Sequence, residues 1–132
     1  MGNARRIGLV AVTLALLGAA PALAGWHHLR SVRVTVTNAS LPPPGGKPHT
    51  ALFVAGHGLR RAQHALNADR IVRRSQGIPV IDCTGGYTVV IKIVKRDSSV
   101  VTMSGYRCGG MTFGRIGGRL PRFLRAIGIT PP

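Results

Sequence analysis

The chain has 132 residues, with 18 Lys and Arg against three Asp and no Glu, for a formal charge of +15. So few carboxylates exclude chemistry that needs a close carboxylate pair, and equally an oxygen-rich cage for calcium or magnesium. Two cysteines are too few for a four-ligand structural zinc site or a dense disulfide scaffold.

Residues 1–24 read as an export signal. Arg5 and Arg6 supply a positive start, and Ile7 to Ala20 is an apolar run too short to span a bilayer, which takes about 20 residues. Pro21-Ala22-Leu23-Ala24 then offers small residues at the positions a signal peptidase reads. Cleavage is expected between Ala24 and Gly25. It would leave a single small secreted domain over 25–132 with no transmembrane span, in a compartment where a disulfide is permitted. From Gly25 onward sixteen Lys and Arg oppose three Asp, so the mature charge is +13.

Such a chain begins Gly25-Trp26-His27. A free α-amine, two amide nitrogens and a third-position imidazole can surround Cu(II) or Ni(II) in one plane, the tetragonal arrangement these ions prefer. Gly25, Trp26 and His27 are therefore a candidate metal site, and no other cofactor is expected.

Ser31 to Thr37 alternates, with Val32, Val34 and Val36 on one side and Arg33, Thr35 and Thr37 on the other, which predicts a half-buried strand. Asn38 to His49 is rich in Pro and Gly and reads as a loop without ladder or helix. From Gly58 to Arg74 the spacing of Leu59, Ala62, Ala65, Leu66 and Val72 predicts a helix, with Asp69 and Arg73 intruding on its apolar side. Gly77 and Pro79 are expected to end it.

Tyr87 to Val94 is a strand with apolar residues on both faces, which points to a central position. Lys95 to Ser98 is a polar turn, and Val100 to Tyr106 returns as its partner. Cys83 precedes this hairpin and Cys108 follows it, so a bridge between them closes its open end. Leu120, Phe123, Leu124 and Ile127 then mark a short amphipathic helix over Arg119 to Gly128, with Pro121 in the first turn and Gly128 at the C-terminal cap. The fold expected is α+β: an antiparallel sheet of three or more strands, one face covered by the middle and C-terminal helices, with one disulfide.

Catalytic residues are not expected, because no G-x-S-x-G elbow occurs and both cysteines are taken by the bridge. His57 and His64 lie seven residues apart, about 10 Å along a helix, too far to share one metal ion. The dominant signal is charge. Arg60, Arg61, Arg73 and Arg74 surround the middle helix, and Arg119, Arg122 and Arg125 crowd the C-terminus; together they form a candidate contact surface for an anionic surface or polymer. Aromatic residues that would stack on bases are sparse, so a specific nucleic-acid reader is not expected.

Cys83-Thr84-Gly85-Gly86-Tyr87-Thr88-Val89-Val90, then Gly105-Tyr106-Arg107-Cys108 and the terminal helix, resemble small uncharacterised secreted proteins of high-GC bacteria. The same stretch is similar to the bacterial subtilisin-inhibitor-like family, in which a Cys stands three positions before the scissile bond and a Tyr follows it. That resemblance implies an alternative function, a protease-inhibitor-like module with a protease as partner and Gly85-Gly86 at the reactive bond. Here Gly85 offers no side chain for a specificity pocket, and the family's second disulfide has no cysteines.

Overall fold

The computed structural model describes residues 25–39, 46–81 and 83–132. The expected export signal, residues 40–45 of the Pro-rich loop and Asp82 lie outside them. The elements are β1 (Leu29–Asn38), β2 (His49–Phe53), α1 (Gly56–Ala68), β3 (Val72–Ile78), β4 (Tyr87–Lys95), β5 (Val100–Cys108), β6 (Met111–Gly117) and α2 (Leu120–Ala126). All strands join one antiparallel sheet in the order β2-β1-β4-β5-β6-β3. The α+β architecture, the two helices and the Cys83–Cys108 bridge are as the sequence indicates.

β2 and β3 are the two edges, and α1 joins them. Six strands at about 4.8 Å spacing separate the edges by about 24 Å. A 13-residue helix is about 20 Å long, so α1 with its flanks can cross the whole sheet. It packs on β1 and β2, while α2 covers β6 and leans on α1. Ala62 and Ala65 let α1 approach closely, and Leu66 fills the space between them and the sheet. The core is completed by Val32, Val34 and Val36 of β1, Val89, Ile91 and Ile93 of β4, and Leu120, Phe123 and Leu124 of α2. Fully burying one such side chain is worth about 1.5–3 kcal/mol.

β4 is central, but not because both of its faces are covered. Tyr87, Val89, Ile91 and Ile93 are buried, whereas Val90 is exposed and Val94 half-buried. The face opposite the helices is open over β1 and β4. Toward β5 and β6 it carries a small satellite cluster, where Phe113 and Cys108 are buried and the Tyr106 and Phe113 rings lie 6.3 Å apart.

The middle helix ends at Ala68, six residues before the Arg74 boundary read from periodicity. Asp69 is its C-cap, and Arg70 takes the left-handed conformation with φ of 54°. The Arg70 amide donates to the Asn67 carbonyl at 3.1 Å and the Ile71 amide to Leu66 at 2.9 Å. This is a Schellman cap, completed by contact between buried Leu66 and Ile71. The same pattern closes α2, where Gly128 donates to Arg125 and Ile129 to Leu124. There the glycine announces the cap. In α1 an arginine occupies that position, so the sequence carries no stop signal.

Three strands were not expected. His49–Phe53 forms β2 although His49 reads as loop, Val72–Ile78 forms β3 where the helical pattern continues, and Met111–Gly117 forms β6 in a stretch without a predicted element. β2 and β3 are edge strands exposed along most of their length, so neither needs the alternation that reveals a strand. In β6 the pattern is thinned by Gly114 and Gly117. A Cβ at Gly114, whose φ is 82°, would sit 2.8 Å from the Ser104 carbonyl oxygen, so the close approach of β5 requires glycine there.

Candidate functional site

Five of the seven arginines singled out from sequence lie in the helix layer. Arg60 and Arg61 project from α1 on the side away from Ala62, Ala65 and Leu66, and both are exposed. Arg119 is the N-cap of α2, and Arg122 and Arg125 follow along its exposed side. The packing of α1 against α2 joins the two sets into one surface. The Arg61 guanidinium reaches the end of α2, with its Nη2 3.4 Å from where a Gly128 Cβ would stand. A cation there meets the negative end of the α2 dipole, as does Arg125 in the last turn.

Among the described residues, Asp69 is the one acid engaged in ion pairs. Its Oδ1 lies 3.3 Å from Arg122 Nε and 3.6 Å from Arg119 Nε. Neither contact meets hydrogen-bond geometry, so the attraction is chiefly coulombic. Arg119 is held further by its backbone amide, which donates to the Asp69 carbonyl at 2.8 Å, and by its guanidinium, which donates to the Ala68 carbonyl at 2.5 Å. Arg119 and Arg122 thus serve the helix junction and still present charge to solvent, being 54% and 66% exposed.

Arg73 and Arg74 do not belong to the helix layer. They sit on the β3 edge strand, where successive side chains point to opposite faces. Arg73 is exposed and borders Trp26 and Lys95, whereas Arg74 donates to the Thr112 carbonyl at 3.2 Å. A basic pair not singled out from sequence, Arg33 and Lys92, lies directly opposed across β1 and β4 on the open face. Strand alternation placed Arg33 on that face, but the register with Lys92 is a tertiary fact.

Tyr87 is buried beneath the basic surface. Burial raises its phenol pKa, and the neighbouring Arg107 and Arg125 charges act in the opposite direction. At the β4–β5 turn, Asp97 accepts from the Ser99 hydroxyl at 2.6 Å and from the Ser99 amide at 2.9 Å. These two bonds hold its carboxyl below the usual range.

Cys83 and Cys108 are bridged, with Cα atoms 6.3 Å apart and a sequence separation of 25. In the chain-entropy account, closing such a loop adds about 3–4 kcal/mol of stability. Next to the bridge, Gly85 and Gly86 both have positive φ. The Gly86 carbonyl accepts from Ala39 at 3.0 Å, and a Cβ at Gly86 would collide with the Arg107 carbonyl oxygen. Gly86 is thus packed against the end of β5, unlike a reactive bond presented on a protruding loop.

The N-terminal residues are docked on the end of α1. The Trp26 amide donates to Asn67 Oδ1 at 2.7 Å, Asn67 Nδ2 donates to the Trp26 carbonyl at 2.9 Å, and the indole Nε1 donates to the Ile71 carbonyl at 2.6 Å. The Lys95 ammonium stands 5.9 Å from the centre of the indole ring. Gly25, His27 and His28 line a cleft of about 530 Å³ with Lys95, Arg96 and Asp97. His57 and His64 are both exposed on α1. Among the described residues, no three side chains of His, Cys, Asp or Glu converge as metal ligands, and no helix is long and apolar enough to cross a membrane.

No protein family, curated protein or solved structure matches this chain.

Proposed function

We propose that this chain is an exported, non-catalytic basic protein that acts by electrostatic contact with an anionic surface or polymer at or outside the cell envelope. The observation that carries this reading is the helix layer, where Arg60, Arg61, Arg119, Arg122 and Arg125 share one surface with a single acid, Asp69. Asp69 balances one of these charges and leaves the others to solvent. A surface of this kind concentrates polyanions by long-range attraction. Stacking groups are not part of it: Trp26 is held against α1 by its own hydrogen bonds, and Tyr106 and Phe113 pair on the opposite face of the sheet. Contact with the charged backbone of a polymer is therefore favoured over readout of bases.

The inhibitor alternative is not carried forward, because Gly86 is pinned by Ala39 and by the β5 backbone. The test is a binding isotherm of the oxidised 25–132 protein on a linear polyanion across a salt series. Affinity is expected to fall steeply from low to high salt, as counterion release requires. Tight binding that ignores salt would overturn the reading.

A further inference from the structure

Asn67 holds the backbone of Trp26 by two hydrogen bonds, and one of them occupies an atom with another use. The Trp26 amide nitrogen is the second of the four donors that a chain beginning Gly25-Trp26-His27 offers to a planar metal ion. The neighbouring geometry suits chelation. The His27 imidazole is folded back over Gly25, with its Nε2 3.0 Å from where a Gly25 Cβ would stand. Turning the ring about its side-chain bonds presents Nδ1 instead, the nitrogen that closes a six-membered ring with the His27 amide. A Cβ on Gly25 would also lie 3.1 Å from Asn67 Oδ1, so glycine leaves the room that this approach needs.

The charge of the surroundings selects this type of site. Lys95, Arg96 and Arg73 outnumber the single acid Asp97 around the N-terminal segment, so a divalent ion held by neutral side chains alone would meet a net positive field there. In the four-nitrogen plane the ion displaces one proton from each of two amides and takes the neutral form of the amine. Two released amide protons cancel the two charges of the metal. The basic surface gains no net charge.

We propose that cleavage before Gly25 creates a Cu(II) or Ni(II) site from the Gly25 amine, the Trp26 and His27 amide nitrogens and the His27 imidazole, and that the ion competes with Asn67 for the Trp26 amide. Metal binding then breaks the hydrogen bond from the Trp26 amide to Asn67 Oδ1, while the Trp26 carbonyl can keep its bond from Asn67 Nδ2 and the indole its bond to the Ile71 carbonyl. The inference is independent of the anionic-partner reading and rests on the processing step.

The site needs the free Gly25 amine, so the form beginning at Gly25 is the one to test. One equivalent of Cu(II) is added to protein beginning at Gly25 and to protein beginning at Ala24. The first should show the visible d–d band of a four-nitrogen plane, and the second should shift or lose it because His27 has moved to fourth position. His27→Ala should abolish the band and His28→Ala should keep it. A neutral hydrogen bond of ordinary net worth corresponds to roughly fivefold in an equilibrium constant, so Asn67→Ala should bind copper about fivefold tighter or more. Ni(II) in a four-nitrogen plane is diamagnetic and gives a readout on the unmutated protein. The Trp26 and His27 amide proton signals should vanish and the Asn67 side-chain amide should shift. Identical copper spectra from the two N-termini would overturn the site. Unchanged affinity in a folded Asn67→Ala variant, or an unmoved Asn67 signal with nickel bound, would overturn the competition. Intact mass of the exported protein tests the processing step separately: a chain that does not begin at Gly25 removes the site from the natural protein, whatever the recombinant form binds.

Discussion

The Asp69 carboxylate, 2% exposed, stands 3.3 Å from Arg122 Nε, and through this pair the end of α1 is tied to the start of α2. Each helix alone is poorly matched to its own dipole there. α1 ends on an acid, and α2 begins among arginines with no acid in its first turn. Placed together, the carboxylate supplies the negative charge that the α2 N-terminus favours, and the arginines offset it at the C-terminus of α1.

Burial is unequal across this junction, which makes its mutational response asymmetric. Replacing both Arg119 and Arg122 by Ala strands a buried carboxylate and should cost about 3 kcal/mol. Asp69→Asn leaves two arginines that solvent already reaches, and should cost only about 1 kcal/mol. Denaturant unfolding of the variants measures both. An Asp69→Asn cost equal to or above that of the double variant would contradict the assignment.

The α1 cap predicts two opposite substitutions. Arg70 holds a left-handed conformation, which costs a non-glycine residue about 1 kcal/mol, so Arg70→Gly should stabilise the protein by up to about that amount. Gly118 faces this turn with φ of 103°, and a Cβ there would collide with the Arg70 carbonyl oxygen. Gly118→Ala should therefore destabilise by about 2 kcal/mol or more, since strain and collision act together. Melting temperatures that move in the same direction for both variants would refute this account of the turn.

How far the sequence led is clearest at this same turn. Asp69 and Arg73 looked like intruders on an apolar helix face; the first is the cap and the second lies in a strand. Periodicity continued past the true end because Val72, an exposed residue that begins β3, falls where a helical residue of the apolar face would. β1, β4, β5 and α2 were legible, because each buries one face and so carries a period. β2 and β3 were not, because an exposed edge strand is held by backbone bonds that leave no pattern. The disulfide was legible from the positions of two cysteines around a hairpin. The Trp26–Asn67 clasp was not, since it joins residues 41 apart through polar groups with no local signature. Of the basic residues, the α1 and α2 sets were read as two clusters, and only the packing of the helices makes them one surface.

The β4–β5 turn should respond to acid. Asp97 is held below the usual carboxyl range, first by the Ser99 hydroxyl and then by the Ser99 amide. A carboxyl with a depressed folded pKa contributes stability that is present above its unfolded value and is lost as pH falls through the folded one. Ser99→Ala removes the larger cause, so the Asp97 titration should move up toward the ordinary range while the amide bond keeps it somewhat low. Carboxyl-carbon NMR follows this residue directly. A titration unchanged by Ser99→Ala would show that the hydroxyl bond does not form in solution.

The charged surface makes a prediction that separates placement from net charge. Arg60→Ala with Arg61→Ala removes two cations from the helix layer, and Arg33→Ala with Lys92→Ala removes two from the open face of the sheet. Both pairs change the net charge equally, and all four side chains are exposed and form no ion pair among the described residues. A DNA duplex of arbitrary sequence serves as a line of charge with a known response: each contact contributes about 0.9 to the slope of log affinity against log salt. If the helix layer is the contact surface, its double variant should lower that slope by up to about 1.8, whereas the open-face variant should leave it nearly unchanged. Only contacts that displace counterions enter the slope, while a distant charge acts through a screened field that decays over about 10 Å at 0.1 M salt. Equal losses from both pairs would mean that the chain binds by its overall charge with no preferred face. A slope unchanged in both pairs would remove the arginines of α1 from the contact and leave α2 and the β3 edge to carry it.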